Sequence, residues 1–168
     1  MLHIPLLPHM GYLYHDKILP KIDELFDNFT FICFPYNADN EIHGFDIKQM
    51  DKITGVRVDK VCRGGFFGGT KELIRQMNGL YYNLMKTTLQ QGFMGTEESL
   101  FSILLYNNPT ITEYVEIESN GLLYKFFEDV KNDTVQVKTI STNKKIEVKT
   151  NGEVGLYVIS FNSPKQFE

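Results

Sequence analysis

Tryptophan is absent from the 168 residues, cysteine occurs only at Cys33 and Cys62, and Lys plus Arg (17) fall short of Asp plus Glu (21). Each shortage excludes something. Two cysteines cannot build a disulfide framework, and their spacing fits no zinc site, which needs ligands in close pairs. A reducing cytoplasm is the simplest compartment for such a chain. A formal net charge of −4 speaks against a protein that neutralises many phosphates, so nucleic acid is not an expected partner. No apolar run reaches the length needed to cross a bilayer. The opening MLHIPLLPHMGYLYHDK also lacks a basic n-region, so it reads as neither signal nor anchor. No internal repeat or low-complexity tract breaks the chain.

What remains is one ordinary domain's worth of sequence, 42% apolar and rich in Phe (13) and Tyr (9). KILPKIDELFD, residues 17–27, sets Ile18, Ile22, Leu25 and Phe26 on one helical face. FTFICFPY, from Phe29 to Tyr36, is apolar and β-branched and reads as a buried strand. The polar NADNEIHGFD after it reads as loop. TGVRVDKVCR, residues 54–63, predicts a strand entering a glycine-rich loop, GGFFGG, at residues 64–69. Apolar positions from Leu73 to Leu89 recur near helical spacing and predict a helix ending before Gly92. A second helix is expected from Thr96, whose hydroxyl can cap it, to Asn107. YVEIE (114–118) reads as a strand and LLYKFFEDV (122–130) as a short helix. From Asp133 onward TVQVKTI, KIEVKT and GLYVISF show period-2 texture, the first two suggesting a hairpin.

Three segments could carry chemistry. The glycines of GGFFGG allow close approach of backbone to a sugar or phosphate, beside free N–H groups at the start of the next helix. The plainer alternative is a tight βα turn with Phe66 and Phe67 as core anchors. It is neither a phosphate-binding Walker loop nor a dinucleotide fingerprint. Glu97 and Glu98 sit in a helix first turn, where the macrodipole alone stabilises them by roughly 0.3–1 kcal/mol each; one of them could instead deprotonate an acceptor hydroxyl. Asp16, after an aromatic run, could hold a hard divalent ion, or could serve simply as a helix cap. His3, His9, His15 and His43 show no metal-type pairing.

VCRGGFFGGTKELIRQMNGLYYNLMKTTLQQGFMGTEESLFSILLYNNP, residues 61–109, resembles the C-terminal half of the HtrL and WlaTC glycosyltransferase family, which is similar to GT-A enzymes. The features carrying the resemblance are a glycine-aromatic-glycine turn, a long helix, and a Thr-Glu-Glu-Ser helix start. It implies an α/β fold, a partial GT-A-like (nucleotide-diphospho-sugar transferase) sandwich over 1–131. A β-hairpin linker over 132–154 would follow, and then the first strand of a second glycosyltransferase-like domain, GLYVISFNSPKQFE, over 155–168, the alternative for that segment being a plain terminal strand. The resemblance further implies transfer of a sugar from a nucleotide-sugar donor to a hydroxyl of a glycan acceptor, as in surface-polysaccharide biosynthesis. Glu97 or Glu98 would be the base. Gly64, Gly65, Phe66, Phe67, Gly68, Gly69 and Thr96 would shape the sugar pocket, and Asp16 would be the candidate ligand for Mn²⁺ or Mg²⁺. Tyr14-His15-Asp16 departs from a clean Asp-x-Asp. The donor-binding half has no room ahead of Gly11, so the chain reads as part of a longer transferase. The alternative is a non-catalytic carbohydrate-binding or interaction module.

Overall fold

A computed structural model describes residues 18, 20–37 and 39–141, together with the backbone of two strands at 143–150 and 153–160. The fold is mixed α/β. A helical turn at 20–25 (α1) leads into β1 (Phe29–Pro35), followed by β2 (Glu41–Ile42), β3 (Phe45–Asp46), α2 (Ile47–Thr54) and β4 (Lys60–Gly68). Then come α3 (Lys71–Gln90), α4 (Glu97–Asn107), β5 (Thr112–Glu116), α5 (Tyr124–Lys131), β6 (Val137–Lys138), β7 (Asn143–Thr150) and β8 (Glu153–Ser160).

Four strands form the central sheet in the order β4-β1-β5-β6, with β1 parallel to β5 and the other two pairings antiparallel. Phe29 to Phe34 are all buried, because helices cover both faces of the strand and a doubly covered strand needs a continuous apolar run. Phe31 meets Phe101 of α4 at 5.6 Å between ring centroids, and Phe67 meets the same ring at 5.2 Å. On the opposite face Phe66 packs on Phe126 and Phe127 of α5, and Phe26 stacks on Phe126. Each fully buried Phe stabilises the fold by about 2–3 kcal/mol through area removed from water. Helix α4 is buried nearly all round, at Leu100, Ile103, Leu104, Leu105 and Tyr106, as expected for a helix apolar on every side.

Several local expectations need correction. The strand expected over 54–63 starts only at Lys60, and residues 47–54 ahead of it are helical: the Asp46 side chain accepts the Gln49 N–H at 2.9 Å, and Gly55 closes the helix in the left-handed region at φ 73°. The segment taken as loop after β1 contains the β2–β3 hairpin, whose His43-Gly44 turn has φ 49° and 85°. Two successive positive φ values are what a tight hairpin turn needs. At the C-terminal end, β6 adds to β5, while β7 pairs with β8 over eight positions from Asn143↔Ser160 to Thr150↔Glu153. The hairpin therefore joins the second and third period-2 segments and not the first two, and the expected boundary at 154/155 falls inside β8.

Candidate functional site

GGFFGG is not a loop. Residues 64–68 belong to β4, and the register against β1 runs Phe31↔Phe67 and then Cys33↔Cys62, so β1 advances two residues while β4 advances five. Residues 63–66 thus bulge opposite Ile32, as an interrupted ladder with two adjacent glycines allows. Phe66 and Phe67 point to opposite faces and are core anchors. A Cβ at Gly65 would lie 2.7 Å from Leu123 Cδ1, one at Gly69 would lie 3.2 Å from Phe29 Cα, and Gly68 faces the Phe26 ring. Phe66, Phe67, Gly68 and Gly69 are packed against these neighbours, whereas Gly65 stays exposed beside Leu123.

Gly64 is different. Released from the ladder by the bulge, its N–H donates to Glu98 Oε1 at 2.8 Å. Glu98 Oε2 is met by Arg63 Nη1 at 3.2 Å and by His43 Nε2 at 3.5 Å, and the carboxylate side chain is 12% exposed. Arg63 lies over the Phe34 ring at 5.7 Å, and its buried Nε has no hydrogen-bond partner among the described residues. Both oxygens of Glu98 are therefore engaged. Hydrogen bonds to a charged group contribute about 1.5–3 kcal/mol each, so Glu98 braces α4 against the bulge and the β2–β3 hairpin.

Glu97, one residue earlier, is exposed and lies against Gly64: a Cβ there would sit 2.8 Å from its Oε1 and 3.1 Å from its Cγ. It lines a cleft of about 300 Å³ between α3 and the start of α4, together with Tyr81, Met85, Leu89, Met94 and Thr96. Burial, with Glu97's charge beside it, raises the Tyr81 pKa, so its hydroxyl stays protonated and able to donate. Thr96 makes no side-chain cap bond, contrary to expectation. Instead its N–H donates to the His43 carbonyl at 3.1 Å, and Ser99 Oγ donates to the Ile42 carbonyl at 2.7 Å. The hairpin, not the Thr96 hydroxyl, fixes the start of α4.

The glycine segment and the acidic helix start do meet, at Gly64. They meet through one glycine of the four, and the two acids divide into a brace and an open carboxylate. Sequence reasoning missed Arg63, His43, Tyr81 and Gly95. His43-Gly44 between Ile42 and Phe45 was a readable hairpin signal, whereas nothing distinguished Tyr81 from the other positions of its helical stripe. Asp16 lies outside the described residues, as do His3, His9 and His15. Among the described residues no group of three or more His, Cys, Asp or Glu side chains is placed to hold a metal ion, and no helix is long and apolar enough to cross a membrane. Comparison of the chain with protein families, with curated proteins and with solved structures finds no match.

Proposed function

We propose that the chain is the acceptor-side portion of a GT-A-like glycosyltransferase, with Glu97 as the base that takes the acceptor's proton. The carrying observation is the Glu97 carboxylate at a cleft wall, resting on Gly64 and facing Tyr81 and Thr96. A sugar offers an apolar ring face and hydroxyl edges. Tyr81, Met85 and Leu89 suit the face, while Thr96 and Glu97 suit the hydroxyls. In transfer, the acceptor O–H would give its proton to Glu97 as its oxygen attacks the anomeric carbon, and the bond to the nucleoside diphosphate would break. Donor binding, and any Mn²⁺ or Mg²⁺ held through Asp16, belong to this same reading. So do the further domains of a longer chain.

The test is turnover of nucleotide sugars, with and without Mn²⁺, by the wild type, Glu97→Gln and Glu98→Gln. A general base contributes typically 10²–10⁴-fold. Glu97→Gln should lose activity on that scale with its melting temperature unchanged, whereas Glu98→Gln should lose stability. Equal turnover by wild type and Glu97→Gln would remove the assignment.

A second reading is a non-catalytic carbohydrate-binding module. It is favoured by the walls of the cleft, which Met85, Leu89, Met94 and Leu100 make largely apolar. Saturable sugar binding, perturbing Tyr81 and Met85 with no turnover of any donor, would select it.

A further inference from the structure

Cys33 and Cys62 are direct cross-strand partners in the β1–β4 ladder, and their Sγ atoms lie 3.2 Å apart. Both thiols are free and buried. The Tyr36 N–H bonds to the Asp59 carbonyl three rungs further along. Alternation along the ladder from that rung makes Cys33/Cys62 a pair without mutual backbone bonds, the kind in which Cα atoms approach to about 4.5 Å and side chains come closest. The Cys62 N–H donates to Ser102 Oγ at 3.0 Å, and the Cys33 carbonyl accepts the Ile117 N–H at 2.7 Å, so both backbones are held on their outer sides with the two sulfurs facing each other. The site also has a way of opening. β4 is an edge strand, and its bulge at 63–66 begins one residue after Cys62.

We infer that Cys33 and Cys62 form a redox pair that closes to an intrachain disulfide when a small-molecule disulfide is the oxidant. One cysteine thiolate attacks a sulfur of the oxidant, the oxidant's S–S bond breaks, and one thiol leaves. The other cysteine then attacks the resulting mixed disulfide and expels the second thiol. Two electrons pass to the oxidant, and the two cysteine protons end on its two thiols. The consequence falls on the site, because Cys62 directly precedes Arg63 and Gly64. The bond would anchor the root of the bulge that braces Glu98 and would close the segment carrying His43. Burial pushes the Cys33 thiol well up, its hydrogen bond to Cys62 adding to this, so the reduced pair is unreactive until β4 opens.

The test equilibrates the whole chain with glutathione and glutathione disulfide at several ratios, native and in denaturant, then quenches with acid and reads intact mass and thiol content. The native pair should show an oxidised fraction corresponding to an effective thiol concentration at least tenfold above that of the denatured chain. The product should be lighter by two hydrogen atoms, with Cys33 and Cys62 joined in one peptide pair. Cys33→Ser and Cys62→Ser should each abolish that product, and the wild-type comparison stands even if a variant fails to fold. A native oxidised fraction equal to or below the denatured one overturns the inference, as does a product that stops at one bound glutathione.

Discussion

Glu97 rests on Gly64: the space a β-carbon would take at residue 64 is held by the carboxylate of residue 97, 33 positions away in the chain. Residue 64 therefore sets where that carboxylate points. The obstructing atoms are the far end of a flexible side chain, and Gly64 has no left-handed φ. Gly64→Ala should thus leave the melting temperature within about 2 °C of wild type while displacing Glu97. Sugar binding or turnover should fall at least tenfold. Calorimetry beside a binding titration checks this, and undiminished binding would mean that Glu97's placement is immaterial.

Gly95 is the opposite case. A Cβ there would meet Ser99 Oγ at 2.6 Å, Phe45 Cβ at 2.9 Å and the His43 carbonyl at 3.0 Å, two of which cannot swing aside. Gly95→Ala should cost about 1–3 kcal/mol, as overpacking does, by prising the β2–β3 hairpin from α4. Urea unfolding reads the loss as a lower midpoint with unchanged slope.

Glu98 and Glu97 should separate in stability. Glu98→Ala leaves the Gly64 N–H and Arg63 Nη1 without their acceptor and should cost about 1–3 kcal/mol. Glu97→Ala should be nearly neutral because its side chain is exposed. Equal losses in thermal melts would dissolve the division between brace and open carboxylate.

The Tyr106 hydroxyl donates to Asp59 Oδ1. Burial pushes Asp59 up, but its bonds from Lys60 and Tyr106 outweigh that and its pKa ends below the usual carboxylate value. Burial first, then the bond to Asp59, raises the Tyr106 pKa, so the phenol keeps its proton. A depressed folded-state pKa adds stability above the unfolded Asp value near 3.9, and that stability is lost as pH falls through the folded value. Tyr106→Phe should cost about 1 kcal/mol at pH 7 and flatten the loss of stability below about pH 4. Parallel pH profiles for the two proteins would contradict the assignment.

Much of the fold was legible because its signals are local. The stripe from Leu73 to Leu89 and the apolar run of β1 specify α3 and a buried strand without reference to the rest of the chain, and Gly92 ends α3 in the left-handed region at φ 81°. α2 was missed because Ile47, Met50 and Thr54 make too short a period to outweigh the valines that follow. GGFFGG misled because glycine marks both a turn and a bulge, and only pairing with β1 chooses between them.

By itself the sequence determined that this chain is a mixed α/β protein with an acidic start to a buried helix and a glycine-rich segment before it, because period and composition are properties of neighbouring residues. Tertiary structure alone decided that Gly64 meets both acids, that Glu98 is held while Glu97 is open, and that Cys33 faces Cys62. Those outcomes depend on strand register and on which face each helix covers, and such choices are made between residues 29 or more positions apart, where no local pattern reaches.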